Sequence, residues 1–381
     1  MRVVFIAHYS ALLGANRSLL DLLDGLKEFK VQAQVVCPRR GELLVALEKR
    51  NIEFAVIPFR GWFCSRSIES RVKKPARLLT NLAAIPRLSR CIRQWDPDII
   101  YTNSSVTPVG AWMSRILHKP HIWHIREMPL LHYGLHYDWG ERVFRHWLNK
   151  ADAVISISRA VKQAVCNDLQ TRIYTMHDGV IFSGDPLLSI EPKCSSGNYT
   201  FAIVGVTSAN KGQDQAIRAV AELRKDFSDI RLLVVGSDDK GYIDKLKELS
   251  VELNVSEQVD FWGYMSNPLE AYKAADAVLM CSKHEAMGRV TAEAMAAARP
   301  VIGYNSGATP EIVDNEVTGL IYDGGHQELA QCMKRFIEEP KWAQQLGING
   351  RRKAQKEFSV EVYSGRVYEV LQDVMKTSAL G

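Results

Sequence analysis

The sequence predicts an α/β protein built from two tandem Rossmann-like domains that face each other across a cleft. Three observations lead to this prediction. The chain has 381 residues, and at roughly 100–200 residues per domain this length suggests two domains. Short apolar segments alternate with amphipathic segments, a pattern typical of parallel sheets covered by helices on both faces. The same alternation occurs once in each half of the chain.

The first half begins with a buried strand and continues with strands and helices in alternation. The opening apolar run to Ala7 is too short for a signal peptide and His8 interrupts it, so we interpret it as a β-strand. Continuous apolar runs indicate the other strands, and helical periodicity indicates the helices. The predicted strands are 3–7, 31–37, 54–57, 99–101, 121–124 and 153–157, and the predicted helices are 17–27 and 41–50.

The second half repeats the scheme after a linker rich in turn residues. Residues 183–197 contain two prolines and two glycines, which predicts a linker between a domain at 1–182 and another at 198–358. The predicted strands are 200–205, 231–235, 258–262, 277–280, 300–303 and 319–322. The predicted helices are 214–225, 239–253, 268–275, 290–298, 327–338 and 360–375.

Composition limits the class of protein. Hydrophobic residues make up 46% and charged residues 24% of the chain, which is ordinary for a globular protein and excludes disorder as its main state. No segment approaches the roughly 18 apolar residues of a membrane-spanning helix. The seven cysteines show no CxxC spacing, which argues against a disulfide framework and a zinc site and fits a reducing cytosol.

Positive charge is concentrated in the first half of the chain. Residues 1–180 contain 26 Lys and Arg against 15 Asp and Glu, whereas residues 181–381 contain 22 against 28. Between Arg60 and Arg93, nine basic residues and one acid are interleaved with apolar side chains. Three interpretations are open: a solvated face, a surface for anionic membrane lipid, and a nucleic-acid site. We favour the membrane surface, and we expect no nucleic-acid partner because no recognised module accompanies the stretch.

The most informative segment follows the predicted strand 277–280. Its polar loop carries Glu285, and the next helix holds Glu293 about two turns inside and must stop at Pro300. Gly288 lets the backbone approach a ligand closely, and the first N–H groups of a helix are unpaired and attract anions. Two carboxylates that flank an anion site suit a ligand with hydroxyl groups on both sides of a phosphate. A nucleoside diphosphate sugar has this layout.

Several motifs in one order resemble the retaining, two-domain glycosyltransferases of family 4 (glycosyl transferases group 1), which have the GT-B fold. The resemblance includes the Glu-x7-Glu spacing and covers most of the chain. The matching segments are 97–100, the strand ending at His124, the turn Gly179-Val180, 202–205 with 211–214, 307–313 and 318–321. By this resemblance the first domain lies on the acceptor side, the second binds the nucleotide sugar, and a helix at 359–381 returns to the first domain.

The resemblance also implies roles for the residues that match. Glu293 would bind the ribose hydroxyls, Glu285 would hold hydroxyls of the donor sugar, and Lys211 would neutralise the leaving diphosphate. His124 would lie at the mouth of a first-domain strand, over the donor sugar and near the reacting carbon. Gly14 would bring backbone N–H groups toward the phosphate. We assign His124, Lys211 and Glu285 to catalysis.

The other predicted donor-binding residues surround these groups. Tyr264 and Met265 follow a predicted strand and are placed to contact the base. The remaining residues lie in the loop after the strand 200–205 or at the start of the helix near residue 290: Thr207, Ser208, Met287, Gly288, Arg289 and Val290.

The sequence departs from the family pattern at three positions. Many members carry an arginine a few residues before Lys211, whereas residues 206–210 are uncharged here. Many carry Gly-Gly in the first loop, where this chain has Gly14 alone. The residue after Gly288 is commonly apolar, and here it is Arg289. We hypothesise that Arg289 supplies the missing cationic charge; the alternative is a solvated surface residue.

Together these observations predict retaining, metal-independent transfer of a hexose-type sugar from a UDP- or GDP-sugar to a saccharide or lipid-linked saccharide in polysaccharide biosynthesis. Two alternatives stay open: a nucleotide-sugar 2-epimerase on a related scaffold and a non-catalytic nucleotide-sugar-binding protein. We expect no cofactor, and a dinucleotide dehydrogenase is disfavoured because neither domain opens with GxGxxG. The histidines between 118 and 146 lack the spacing of a metal site. The expected location is the cytoplasm, peripheral to the inner face of the plasma membrane.

Overall fold

The computed structural model describes residues 1–195, 197–239 and 241–378. Its contacts divide the chain into two compact units, one formed by Met1–Gly179 with the chain from Val360 onward and the other by Val180–Ser359. Each unit contains one parallel sheet, which confirms the predicted α/β class. Three parts of the predictions lie outside the described residues: Ser196 of the linker, Lys240 of the helix 239–253, and 379–381 of the last helix.

The first unit alternates strands and helices from its second residue. Its elements are β1 (Arg2–Ala7), α1 (Gly14–Leu26), β2 (Gln32–Cys37), α2 (Glu42–Glu48), β3 (Glu53–Val56), β4 (Phe63–Cys64), α3 (Ile68–Val72), α4 (Lys74–Trp95), β5 (Ile99–Asn103), α5 (Val109–Leu117), β6 (His121–Ile125), α6 (Pro129–Tyr133), β7 (His136–Tyr137), α7 (Glu141–Leu148), β8 (Ala153–Ser156), α8 (Arg159–Val165) and β9 (Arg172–Thr175).

The second unit follows with the same alternation, and the last helix belongs to the first unit again. The elements are β10 (Tyr199–Val204), α9 (Gln213–Leu223), β11 (Ile230–Val235), α10 (Tyr242–Glu252), β12 (Val259–Gly263), α11 (Leu269–Ala274), β13 (Ala277–Met280), α12 (Arg289–Ala296), β14 (Val301–Tyr304), α13 (Thr309–Ile312), β15 (Gly319–Tyr322), α14 (His326–Glu338), α15 (Pro340–Glu357) and α16 (Val360–Ser378). Among the described residues, no helix is both long and apolar enough to cross a membrane.

In each sheet, successive strands are first added toward one edge and then, after a single reversal of strand order, toward the other edge. In the first unit the strand order is β3-β2-β1-β5-β6-β8-β9, so the reversal lies between β1 and β5. In the second unit the order is β12-β11-β10-β13-β14-β15, and the reversal lies between β10 and β13. Open parallel sheets bind ligands outside the carboxyl ends of their strands at such a reversal. The topology therefore predicts a candidate site in each unit, at the carboxyl ends of the two strands that flank the reversal.

Helices cover both faces of the first sheet. On one face α1 and α16 pack together over the strands, and Tyr363, Val367 and Leu371 of α16 join the core there. On the other face α4 contributes Leu88 and Ile92 to a second apolar cluster. Because both faces are covered, the central strands are mostly apolar, which is why their sequences form nearly continuous apolar runs.

The structure also contains elements that the sequence analysis did not assign. Helix α4 is one of them: its first half carries basic and apolar residues without one clear apolar face, and Pro86 lies inside it. The strands β4 and β7 have only two residues each and pair with one another outside the main sheet. Such short strands leave almost no periodic signal.

Helix α12 ends two residues earlier than predicted. Ala298 adopts a left-handed conformation with φ of 51°. The N–H of Arg299 donates to the Ala294 carbonyl at 2.9 Å, and the N–H of Ala298 donates to the Met295 carbonyl at 2.9 Å. This is a Schellman ending, which closes the helix before Pro300 is reached. Proline disfavours helical geometry in the residue before it, so the stop comes earlier than the proline itself.

Candidate functional site

Two loops meet at the reversal of the second sheet. Lys211 lies in the loop after β10, and Glu285 lies in the loop after β13. The Lys211 Nζ is 2.7 Å from the Glu285 Oε2, and both side chains are largely buried. The N–H of Lys283 donates to the Asn210 carbonyl at 3.0 Å, so the two loops are also joined through their backbones. The fold therefore brings together two predicted catalytic residues from different loops.

Two glycines allow these loops to approach each other. Gly212 has φ of 72°, and a Cβ placed on it would lie 2.5 Å from the Cys281 carbonyl oxygen. Gly307 has φ of 59°, and its Cβ would lie 2.2 Å from the Glu285 carbonyl oxygen. That same carbonyl accepts the N–H of Ala308 at 2.7 Å. Both positions need glycine, because any side chain there would strain the backbone and push the loops apart.

Helix α12 begins where the loop after β13 ends. Its first residue is Arg289, and Gly288 before it has φ of 84° and no side chain to cap the helix. The N-terminal N–H groups therefore receive no side-chain cap, which suits an anion. Met287 is buried beside this start, and Val290 is partly exposed.

Glu293 is the fifth residue of α12 and lies little more than one turn inside the helix, not two turns as predicted. Its Oε2 accepts the Tyr272 hydroxyl at 2.9 Å. Its Oε1 is 3.3 Å from the Arg289 Nε, and the Arg289 side chain is only 20% exposed. Arg289 is thus part of a partly buried pair. Its predicted role toward a diphosphate stays a prediction.

The loop after β10 holds the next two predicted residues. The Thr207 N–H donates to the Ser237 carbonyl at 2.8 Å, and the Asp239 N–H donates to the Thr207 carbonyl at 3.1 Å. Thr207 is buried, and Ser208 is partly exposed. Tyr264 and Met265 follow β12, which is separated from the reversal by β11. Tyr264 is exposed, whereas Met265 packs against an apolar cluster that includes Ala202.

Three buried oxygen atoms around the reversal have no hydrogen-bond partner among the described residues. They are Thr207 Oγ1, Gln213 Oε1 at the start of α9, and Thr291 Oγ1 in the first turn of α12. An unsatisfied buried polar group costs roughly 1–3 kcal/mol, so these atoms are suited to a ligand or an ordered water. The sequence analysis missed Gln213 and Thr291, and only their neighbours Lys211 and Glu293 marked the region.

In the first unit, His124 lies inside a strand, not at its mouth. It is the fourth residue of β6 and has no exposed surface. Its Nδ1 is 2.6 Å from the Tyr101 hydroxyl and 3.2 Å from the Arg126 Nη2. Because an arginine only donates, the Nδ1 accepts and the proton of the neutral ring is on Nε2. Burial and the Arg126 charge hold the pKa of His124 well below its usual value.

The sequence analysis missed a buried ion pair beside His124. The Arg126 Nη1 lies 2.8 and 2.7 Å from the two carboxylate oxygens of Asp178. Burial alone would raise the pKa of Asp178, but Arg126 keeps it below its usual range. The Arg126 Nη2 also donates to the Tyr363 hydroxyl at 3.1 Å. The only sequence signal was the position of Asp178 directly before the Gly179-Val180 turn.

Gly14 lies at the reversal of the first sheet, as the first residue of α1. The Asn103 side chain at the end of β5 donates to the Ala15 carbonyl at 3.1 Å, which joins the end of β5 to the start of α1. A Cβ on Gly14 would meet no described atom within 4 Å. Packing of the protein itself therefore does not require glycine at this position.

Among the residues that the structure describes, no group of three His, Cys, Asp or Glu side chains is arranged to hold a metal ion. The second reversal presents a cation, carboxylates and the N–H groups at the start of α12. Such groups bind phosphates and hydroxyls.

Comparison with protein families accounts for both halves of the chain. Residues 190–353 match the family described as glycosyl transferases group 1, and residues 13–182 match glycosyltransferase family 4. The chain belongs to the group 1 glycosyltransferases. The family resemblance predicted from the motifs is confirmed.

Relatives and solved structures agree with this assignment. The glycosyltransferase is 25% identical to the alpha-monoglucosyldiacylglycerol synthase of Streptococcus pneumoniae over 311 residues, which cover 74% of this chain and 68% of that one. It is 32% identical to the GDP-mannose-dependent alpha-(1-6)-phosphatidylinositol monomannoside mannosyltransferase of Mycolicibacterium smegmatis over 171 residues, 42% of this chain and 44% of that one. Anabaena HepE in complex with UDP matches 98% of this glycosyltransferase and 100% of that chain, with a TM-score of 0.81 and 22% identity. The likeness confirms the GT-B fold.

Proposed function

We propose that this glycosyltransferase moves a hexose-type sugar, with retention of configuration and without a metal, from a UDP- or GDP-sugar to a saccharide or lipid-linked saccharide. The observation that carries the proposal is the Lys211–Glu285 pair at the strand reversal, directly before the uncapped start of α12. A cation, a helix N-terminus and two carboxylates are the groups that a nucleoside diphosphate sugar requires. The complex of HepE with UDP supports a diphosphate ligand.

In the proposed mechanism, Lys211 and the N-terminus of α12 bind the diphosphate of the donor. The bond between the anomeric carbon and the diphosphate oxygen breaks, and negative charge grows on the leaving group. An acceptor hydroxyl oxygen bonds to the anomeric carbon on the face that the diphosphate leaves, and the hydroxyl proton passes to the departing diphosphate. Preorganised positive groups stabilise that charge in the transition state more than in the ground state. Glu285, released from Lys211 by the incoming diphosphate, accepts hydroxyls of the sugar.

Glu293 is proposed to hold the ribose. Its Oε2 is already oriented by the Tyr272 hydroxyl, and Arg289 beside it adds positive charge at the start of the helix. Tyr264 and Met265 are proposed to contact the base. Of the two relatives above, one is named for GDP-mannose, and HepE is complexed with UDP, so both bases belong in the test.

The acceptor is proposed to be a saccharide or a lipid-linked saccharide of polysaccharide biosynthesis, used at the cytoplasmic face of the membrane. Both relatives named above act on lipids according to their names. The seven cysteines of this chain are free thiols, which is usual in a reducing compartment.

A panel of nucleotide sugars in thermal unfolding tests the donor. UDP-glucose, UDP-N-acetylglucosamine, GDP-mannose and dTDP-glucose cover the common bases and sugars. A donor present at 100 times its Kd should stabilise the protein by about 2.7 kcal/mol. If none of them, nor UDP or GDP alone, shifts the unfolding temperature, the donor proposal is wrong.

Lys211→Ala tests the leaving-group role. Removing one preorganised charge from a developing anion should lower kcat by about 10²–10³-fold. The matched control is Lys225→Ala, because Lys225 is also paired with a glutamate but is largely exposed. Turnover is measured as release of UDP or GDP from the donor that the panel identifies. Equal turnover of both variants and the unmodified chain would contradict the role.

Analysis of the products separates the alternatives. Transfer is shown by a new glycoside whose anomeric configuration matches that of the donor. A donor recovered with an inverted C2 and no acceptor requirement identifies an epimerase. Binding without any turnover or slow donor hydrolysis identifies a non-catalytic protein.

A further inference from the structure

Helices α3 and α4 of the first unit expose apolar side chains to solvent. Leu88, near the middle of the buried side of α4, has no exposed surface. On the other side, Leu79 and Leu82 are 65% and 45% exposed, and α3 places Ile68 and Val72 at 80% and 72%. We call these last four residues the apolar ridge. The outer side of a helix on a globular protein normally carries polar residues, so the ridge requires an explanation.

Arginines continue the ridge along α4. Arg90 follows Leu79 by eleven residues, and Arg93 follows Leu82 by the same interval. Eleven residues are close to three helical turns, so these arginines lie on the same side of α4 as the two leucines. Four arginines of α3 and α4 make no ion pair with any described residue: Arg71, Arg87, Arg90 and Arg93.

A second exposed apolar segment, residues 130–139, is hydrogen-bonded to the start of α4. The Asp138 carboxylate accepts the Arg77 Nε at 2.7 Å, and its carbonyl accepts the Lys74 Nζ at 2.9 Å. Trp139, the next residue, is 46% exposed. Three further residues of the same segment, all in α6, are at least half exposed: Leu130, Leu131 and Tyr133.

We propose that the apolar ridge and the arginines that continue it form a docking surface for an anionic lipid bilayer. A bilayer surface offers phosphates to the guanidinium groups and an apolar layer just beneath them to the aliphatic side chains. Tryptophan and tyrosine side chains are also enriched at the interface between membrane and water. A nucleic acid would satisfy the arginines but would leave the ridge in water.

The surface deepens the acceptor side of the proposed function, since it would hold the first unit at a membrane that contains lipid-linked acceptors. It does not depend on transfer, because docking needs neither donor nor acceptor. A failure of docking and a failure of the donor proposal are therefore measured separately.

Flotation with defined vesicles tests the surface. The full chain is mixed with vesicles of phosphatidylcholine alone, or with 30% phosphatidylglycerol, at low and high salt. We expect binding only to the anionic vesicles, and we expect it to fall steeply as salt is raised. Leu79→Ser with Leu82→Ser should weaken binding at least ten-fold, and Arg90→Gln with Arg93→Gln about five-fold for each charge.

Matched controls lie in the second unit. Val251→Ser removes an apolar side chain that is 65% exposed, and Arg224→Gln with Lys225→Gln removes two exposed charges. Neither should change vesicle binding, and circular dichroism checks that every variant is folded. Equal binding to neutral vesicles, no binding at all, or an unchanged affinity of the ridge variant would overturn the proposal. Sedimentation that shows a dimer lost on Leu79→Ser and Leu82→Ser, without lipid binding, would instead assign the ridge to a second copy of the chain.

Discussion

Three histidines of the first unit, His121 and His124 fully buried and His8 partly buried, occupy positions where a positive charge is unfavourable. Burial lowers the pKa of His8 and of His121 to about 3. Burial and the Arg126 charge also hold the pKa of His124 well below its usual value. The His121 Nε2 forms a hydrogen bond of 2.8 Å with the Thr102 hydroxyl. These rings are therefore neutral at neutral pH.

The free energy of unfolding should fall as the pH drops below about 6.5. In the unfolded chain the three histidines take up protons near that pH. In the folded protein, His8 and His121 stay neutral until the pH falls to about 3. The histidines therefore make their full contribution to the free energy of unfolding above about pH 6.5. Below that pH the contribution declines by about 1.4 kcal/mol per pH unit for each histidine. Urea unfolding at pH 7, 6 and 5 measures the slope.

His121→Gln should reduce the slope between pH 6 and pH 5 by about 1.4 kcal/mol per pH unit. His118→Gln is the control, since that side chain is exposed in the folded protein. The slope is compared instead of the stability itself, because either substitution can change the stability at pH 7. An identical slope for His121→Gln and the unmodified chain would contradict a buried, neutral imidazole.

Close helix packing organises the second unit around α12. Helices α12 and α15 pack against each other, and Gly347 and Gly350 of α15 are both buried there. A Cβ on Gly347 would lie 2.3 Å from the Ala298 carbonyl oxygen, in the ending of α12. The small residue thus lets α15 support the helix whose other end is the candidate anion site.

Gly347→Ala should destabilise the protein by about 1–3 kcal/mol, because the new methyl group overlaps a backbone oxygen that cannot move freely. Gly365→Ala in α16 is the matched control. Its Cβ would lie 3.7 Å from the Phe29 ring, an ordinary contact, and alanine favours a helix over glycine by roughly 0.5–1 kcal/mol. Thermal unfolding of both variants gives the comparison. A Gly347→Ala variant as stable as Gly365→Ala would disprove the close approach.

Sequence periodicity predicted most strands but fewer helices. Strands such as β13 and β15 were predicted with the bounds they have, because their runs are continuous and end at polar loops. Helix α4 could not be predicted in this way, because its exposed side carries leucines as well as arginines, so no face is uniformly polar. A helical period is visible in the sequence only where one face of the helix is apolar and the opposite face is polar.

At the scale of the whole molecule, the first unit is discontinuous in sequence. The buried residues of α16 share a core with α1 although more than 300 residues separate the two helices. The second unit, in contrast, is the single continuous segment Val180–Ser359. Stability can therefore differ between the two units, since each buries its own core.

Leu371→Ala should lower the stability of the first unit by about 2–5 kcal/mol, because Leu371 is fully buried in that core. Hydrogen exchange followed by mass spectrometry should show faster exchange in residues 1–179 and unchanged protection in 180–359. Val251→Ala, at an exposed position of the second unit, is the control. Equal loss of protection in both units would mean that they unfold as one.

The sequence by itself determined the α/β class, the alternation of elements, the family, and the segments around Lys211 and Glu285, because these depend on local periodicity and on short motifs. Only the tertiary structure decided which distant groups meet. The Lys211–Glu285 pair joins loops that are far apart in the chain, Arg126 finds Asp178, and His124 lies inside its strand. Such contacts follow from strand order and register. No local pattern encodes these, because the sequence of a strand does not specify which neighbour it pairs with.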